Sequence, residues 1–150
     1  MMEFTGRRIN ILLVEDNAGD VRLIQEAFKD SKIENKFSVV YDGEDAMKYL
    51  YGKDEFAGSI RPDIIFLDLN LPKKSGMEIL EEIKSDPELR KIPVVVLTTS
   101  SSAEHIQKSY GLHANCYITK PVDFNHFVDV VKIIEGFWFN IAKLPKTILQ

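Results

Sequence analysis

The chain has 150 residues, 45% of them apolar and 28% charged, enough for one soluble domain with a core of its own. A net charge of −4 argues against a nucleic-acid binder held by bulk electrostatics, and no apolar run is long enough to span a membrane. The opening "MMEFTGRRIN" is too polar for a secretory signal and the single cysteine, Cys116, has no partner for an internal disulfide, so a reducing cytoplasm is the expected compartment.

From the N-terminus, "INILLVED" (9–16) is a short apolar run that ends in acids. "DVRLIQEAFKD" then sets Val21, Ile24, Ala27 and Phe28 at helical spacing. "KFSVVYD" (36–42) reads as a strand, and "EDAMKYLYG" as a short helix stopped by Gly52. "DIIFLD" (63–68) is a wholly apolar strand after Pro62, and "MEILEEIKSD" places Met77, Leu80 and Ile83 on one helical face. "PVVVLTT" (93–99) is a further apolar strand, with Pro93 at its start, where a missing donor is tolerated. Ser102 is placed to cap "AEHIQKSYG", with Gly111 as the left-handed residue that ends it. "NCYITK" (115–120) is the last strand, and a final helix is expected from about Asp123 to Lys143.

Five strands thus alternate with five helices, without repeats, low-complexity tracts or linkers. Strands that are apolar throughout must be covered on both faces, and the intervening helices are the crossovers that parallel pairing requires. The expected fold is α/β: a doubly wound, five-stranded parallel sheet with five helices, flavodoxin-like, as one domain over 9–142 between a tail (1–8) and an extension (143–150). In such sheets ligands sit outside the carboxyl ends of the strands. Those ends carry Glu15 and Asp16, Asp42, Asp68, Thr98, and Lys120 followed by Pro121.

Three carboxylates gathered at one edge repel one another, and a hard divalent cation such as Mg²⁺ removes the conflict. Asp16 and Asp68 can coordinate it, directly or through water, with Glu15 assisting and the Asn70 backbone carbonyl as a neutral ligand. The open coordination positions suit phosphoryl oxygens. Lys120 supplies a compact positive charge on the far side, and Thr98 a hydroxyl between them. A carboxylate nucleophile, a metal, a cation and a hydroxyl are the equipment of phosphoryl transfer. On this reading the apolar run 64–67 anchors Asp68 as the nucleophile, the loop with Pro72 and Gly76 wraps the metal, and Pro121 fixes the backbone that aims Lys120.

In these residues, over roughly 9–142, the chain resembles the response-regulator receiver domains of two-component signalling. Glu15–Asp16, Asp68, Asn70, Pro72, Gly76, Thr98 and Lys120–Pro121 stand in order on the expected elements. "LLVEDNAGDVRLIQEAF", "DLNLPKKSG", "IPVVVLTTS" and the late "FW" look most like the small regulators of bacterial and cyanobacterial phytochromes. The resemblance implies that a histidine kinase, a phytochrome in the narrower match, passes a phosphoryl group to Asp68 with Mg²⁺ or another divalent cation. It implies that Thr98 then turns toward the group and an aromatic residue on the last strand, here Tyr117, swings inward as a switch. Thr99 stands where many receivers carry Ala or Gly, and would slow hydrolysis or hinder small donors. The chain would signal by protein contacts, catalysing only its own phosphorylation and dephosphorylation, as a messenger or as a phosphorelay intermediate or phosphate sink.

Rival readings are weaker on the residues. A phosphohydrolase of the haloacid-dehalogenase type usually carries a second Asp where Asn70 stands, and an amide cannot donate and recover a proton. A pure binding module is the remaining alternative within the same fold. A flavin binder would want a phosphate-cradling loop where "EDNAGD" offers acids. His105, His113, His126 and Cys116 show no metal-ligand spacing. The last helix is distinctive, because its apolar positions sweep roughly 240° of the circumference where one core needs little more than ~100°. A homodimer through that face, anchored by Phe137, Trp138 and Phe139, is the expectation.

Overall fold

The structure, a computed structural model, describes residues 8–29, 34–120 and 123–137. Strands β1 (Ile9–Val14), β2 (Asn35–Val40), β3 (Ile64–Leu67), β4 (Val94–Thr98) and β5 (Cys116–Thr119) form one parallel sheet in the order β2-β1-β3-β4-β5. Helices α1 (Ala18–Phe28), α2 (Gly43–Tyr51), α3 (Gly76–Ser85) and α4 (Ala103–Gly111) make the crossovers, and with α5 (Phe124–Ile134), which follows β5, they cover both faces. Two short 3₁₀ turns, Asp54–Phe56 and Leu89–Lys91, break up the connections into β3 and β4. Among the described residues no helix is long and apolar enough to cross a membrane.

Alternation along β1 divides the core. Ile9, Ile11 and Leu13 face the layer of α1 and α5, where they meet Ile24, Phe28 and Phe127. Leu12 and Val14 face the other layer, against Ala46, Ile79 and Leu80. With β1, β3 and β4 buried on both sides, the three central strands are rigid mounts for whatever stands at their ends.

The helices start where short polar side chains take up their first N–H groups. Asn17, Asp42, Ser102 and Asp123 each accept a bond from the backbone N–H three residues on, and Ser75 forms a reciprocal capping box with Glu78. Gly52 ends α2 in the left-handed region at φ 63°, as expected. Gly111 departs from expectation. It is the last residue of α4 itself, and the left-handed residue is His113 at φ 72°. The bonds His113 N–H to Tyr110 and Ala114 N–H to Ser109 close a Schellman motif two residues later. Burial decides the matter, since the two extra residues pack Leu112 and Ala114 into the second core layer.

Two glycines fix the loop after β3. A Cβ on Gly43 would collide with the Lys74 carbonyl, and one on Gly76 with the Asp68 carbonyl and with Leu69 Cα at 2.6 Å. Gly43 N–H also bonds the Pro72 carbonyl (3.3 Å), and Gly76 N–H that of Leu69 (3.0 Å). The loop is therefore clamped between the start of α2 and the start of α3. Gly76→Ala is expected to lower the urea midpoint by the equivalent of ~3 kcal/mol, because backbone atoms and not flexible side chains stand in the way.

Candidate phosphoryl-transfer site

Four neighbouring strand ends build the site. Glu15 N–H bonds the Val40 carbonyl at 3.0 Å, holding Glu15 in line with the sheet, and Asp68 N–H bonds Val14 at 3.0 Å, setting the β3 tip beside that of β1. On the other flank Thr98 closes β4, wholly buried, and Lys120 N–H bonds its carbonyl at 2.7 Å. The β3 tip thus lies between the end of β1, which carries the acid pair, and the ends of β4 and β5.

One carboxylate oxygen from each of Glu15, Asp16 and Asp68 lies within 4.8 Å of the other two. Glu15 and Asp68 are buried and Asp16 is exposed. Burial, opposed by the hydrogen bond from Lys120 and reinforced by the charge of Asp68, raises the Glu15 carboxyl to about 7. Three carboxylates this close together, two of them buried, are oxygen donors that fit a hard divalent cation.

Lys120 does not stand on a far side as expected. Its ammonium reaches into the cluster and donates to Glu15 Oε1 at 2.5 Å, Asp20 Oδ2 at 2.7 Å and Asp68 Oδ2 at 3.1 Å. Burial alone would depress its pKa, but the bonds to Asp20 and Glu15 and the nearby charges raise it overall, so it is a permanent cation. Asp20 was not among the expected site residues. The signal for it lies in "EDNAGD": a side chain in the first turn of a helix points back toward its N-terminus, here toward the strand ends.

The remaining residues are placed as follows. Asn70 N–H donates to Asp68 Oδ1 at 3.1 Å, so both oxygens of Asp68 are engaged. The Thr98 hydroxyl accepts from Ser100 N–H at 3.5 Å and is not interposed between Asp68 and Lys120. Tyr117 is half-buried against the second core layer, and its hydroxyl donates to the Ser100 carbonyl at 2.8 Å. Its N–H, on the outer edge of β5, donates to the Tyr110 hydroxyl at 3.1 Å. Ser100, for which the sequence offers no role, therefore joins the Thr98 hydroxyl to the Tyr117 ring. Thr99 is exposed. Pro121, Trp138 and Phe139 lie outside the described residues.

A family model, the response regulator receiver domain, matches residues 11–132. The chain belongs to this family. The receiver is 48% identical to response regulator Rcp1 of Synechocystis sp. over 135 residues, 90% of this chain and 92% of that protein. Among solved structures it superposes on the phosphorylated cyanobacterial phytochrome response regulator RcpA with a TM-score of 0.89 and 52% identity, covering 93% of this chain and 99% of that one. The Mn²⁺-bound form of Rcp1 matches with a TM-score of 0.87 and 47% identity, over 91% and 99%. Family membership decides for a response regulator over a phosphohydrolase of the dehalogenase type.

Proposed function

We propose that this receiver accepts a phosphoryl group on Asp68 from a phosphohistidine of a histidine kinase. The observation that carries it is a buried carboxylate at a rigid strand tip, 3.1 Å from a lysine ammonium and within 4.8 Å of two further acids. An Asp68 oxygen attacks phosphorus, the P–O bond forms as the P–N bond to the donor imidazole breaks, and the leaving nitrogen keeps its electron pair. Glu15, Asp16, Asp68 and the Asn70 backbone carbonyl are the groups that would hold Mg²⁺. When bound, the cation supplies the positive charge against which phosphoryl oxygens can gather. Lys120 takes one phosphoryl oxygen, and Thr98 another once its hydroxyl leaves Ser100. Tyr117, tied to the same residue, follows, and the face of α4, β5 and α5 changes shape for a partner to read. Likeness to Rcp1 and RcpA favours a phytochrome as the kinase. Intact mass after incubation with Mg²⁺ and acetyl phosphate tests the reading. One phosphoryl group per chain is expected, and a blank with both acetyl phosphate and a histidine-kinase donor would overturn it.

The receiver's last helix supports the homodimer as its form in solution. Phe127, Val131 and Ile134 form a single buried stripe, while Phe124, Ile133 and Phe137 are 46%, 71% and 50% exposed. Sedimentation at roughly tens of micromolar is expected to give a dimer in the presence of a phosphoryl mimic, in its absence, or in both; a monomer in both conditions would remove this part of the proposal.

A further inference from the structure

Lys120 has three ammonium donors and no more, and all three are spent on carboxylates. The three partners are not equivalent. Glu15 and Asp68 side chains are 1% and 8% exposed, whereas Asp20 is 30% exposed and sits on the first turn of α1. Yet the bond to Asp20, at 2.7 Å, is shorter than the bond to Asp68, at 3.1 Å. For Lys120 to hold a phosphoryl oxygen, one of these bonds must open. Glu15 is too buried for water to replace the bond it would lose, and Asp68 is itself the group that carries the phosphoryl. Asp20 can return to water.

We propose that Asp20 is the displaceable counter-ion of Lys120, holding the ammonium in the unphosphorylated protein and giving way to an incoming phosphoryl oxygen. This rests on the reading of Asp68 and Lys120 given above. Asp20 is a positioning residue that acts through Lys120 and makes no bond to the reacting group. Its consequence is competition: every anion that reaches Lys120 must first displace a carboxylate already bound there. The competition lowers the site's affinity for a phosphoryl group. Neutralising Asp20 therefore tightens anion binding, whereas loss of a merely structural ion pair would loosen it.

Calorimetric titration with beryllofluoride at saturating Mg²⁺, a non-covalent phosphoryl mimic, measures the effect, with Mg²⁺ affinity determined separately. Asp20→Asn is expected to bind beryllofluoride about fivefold more tightly than wild type, the worth of one partly exposed ion pair. Asp20→Glu restores the carboxylate and is expected within about twofold of wild type. Asp42→Asn removes the same charge at the same sheet edge, but from a carboxylate that pairs with Lys73, and is expected to shift affinity by less than about twofold. An Asp20→Asn variant that binds no more tightly, or an equal gain in Asp42→Asn, overturns the role of Asp20 alone. If neither wild type nor variant takes up beryllofluoride or a phosphoryl group, the assignment of Asp68 and Lys120 falls with it.

Discussion

Asp68→Asn is expected to abolish phosphoryl uptake, taking the intact mass from one phosphoryl group per chain to none at any donor concentration. The substitution keeps the shape of the side chain, and the amide carbonyl can still accept from Asn70 N–H, so the β3 tip is retained. What is lost is the anionic oxygen proposed to attack phosphorus, and an amide nitrogen does not replace it. Lys120 loses one of its three acceptors, but the variant also relieves crowding, since Glu15, Asp16, Asp20 and Asp68 bring four carboxylates against the one ammonium, and it is expected to fold. The same imbalance predicts that chelating Mg²⁺ abolishes uptake in wild type. A phosphoryl group carries about two negative charges and cannot enter a cluster with a surplus of its own sign.

Lys120→Met is expected to be the most destabilising single change at the site. The Lys120 side chain is 4% exposed, and its ammonium is bonded to three acids, two of them buried. Methionine fills the space of the stem and leaves Glu15 and Asp68 facing each other without a cation. Breaking a buried pair by removing one partner costs about 3–5 kcal/mol. Urea unfolding should show that loss in metal-free buffer and a substantial recovery in millimolar Mg²⁺. Wild type, whose cluster already holds one cation, should gain less from the metal. A variant whose stability ignores Mg²⁺ would mean that the acids do not share a site.

The architecture was open to reading because it is written in long signals. Apolar runs such as "INILLV" and "PVVVL" have to be covered on both faces, and that requirement dictates a parallel sheet with helical crossovers. The candidate site followed from the same runs, since parallel strands bring Asp16, Asp68, Thr98 and Lys120 to one edge. What escaped was set by tertiary contact. Asp20 meets a lysine 100 positions away, across a gap that no periodicity reports. The end of α4 went to His113 because Leu112 and Ala114 had core to fill, which outweighed the local preference of Gly111 for a left-handed turn. The two 3₁₀ turns are three residues long, shorter than any helical period. Ser100 carries no charge and no apolar bulk, so its bonds to Thr98, Tyr117 and, through its hydroxyl, His105 Nδ1 at 2.7 Å are invisible before folding.

The bond from Tyr117 N–H to the Tyr110 hydroxyl bears on growth of the sheet as well as on its shape. β5 is a margin of the sheet, four residues long, and an uncovered margin recruits visiting strands. The tyrosine on α4 occupies the donor that such a strand would need first. The sheet is thus sealed at this point for as long as α4 keeps its place. Any signal that displaced α4 would also uncover a pairing edge, so the surface proposed above to be read by a partner is the one where misassembly has to be held in check.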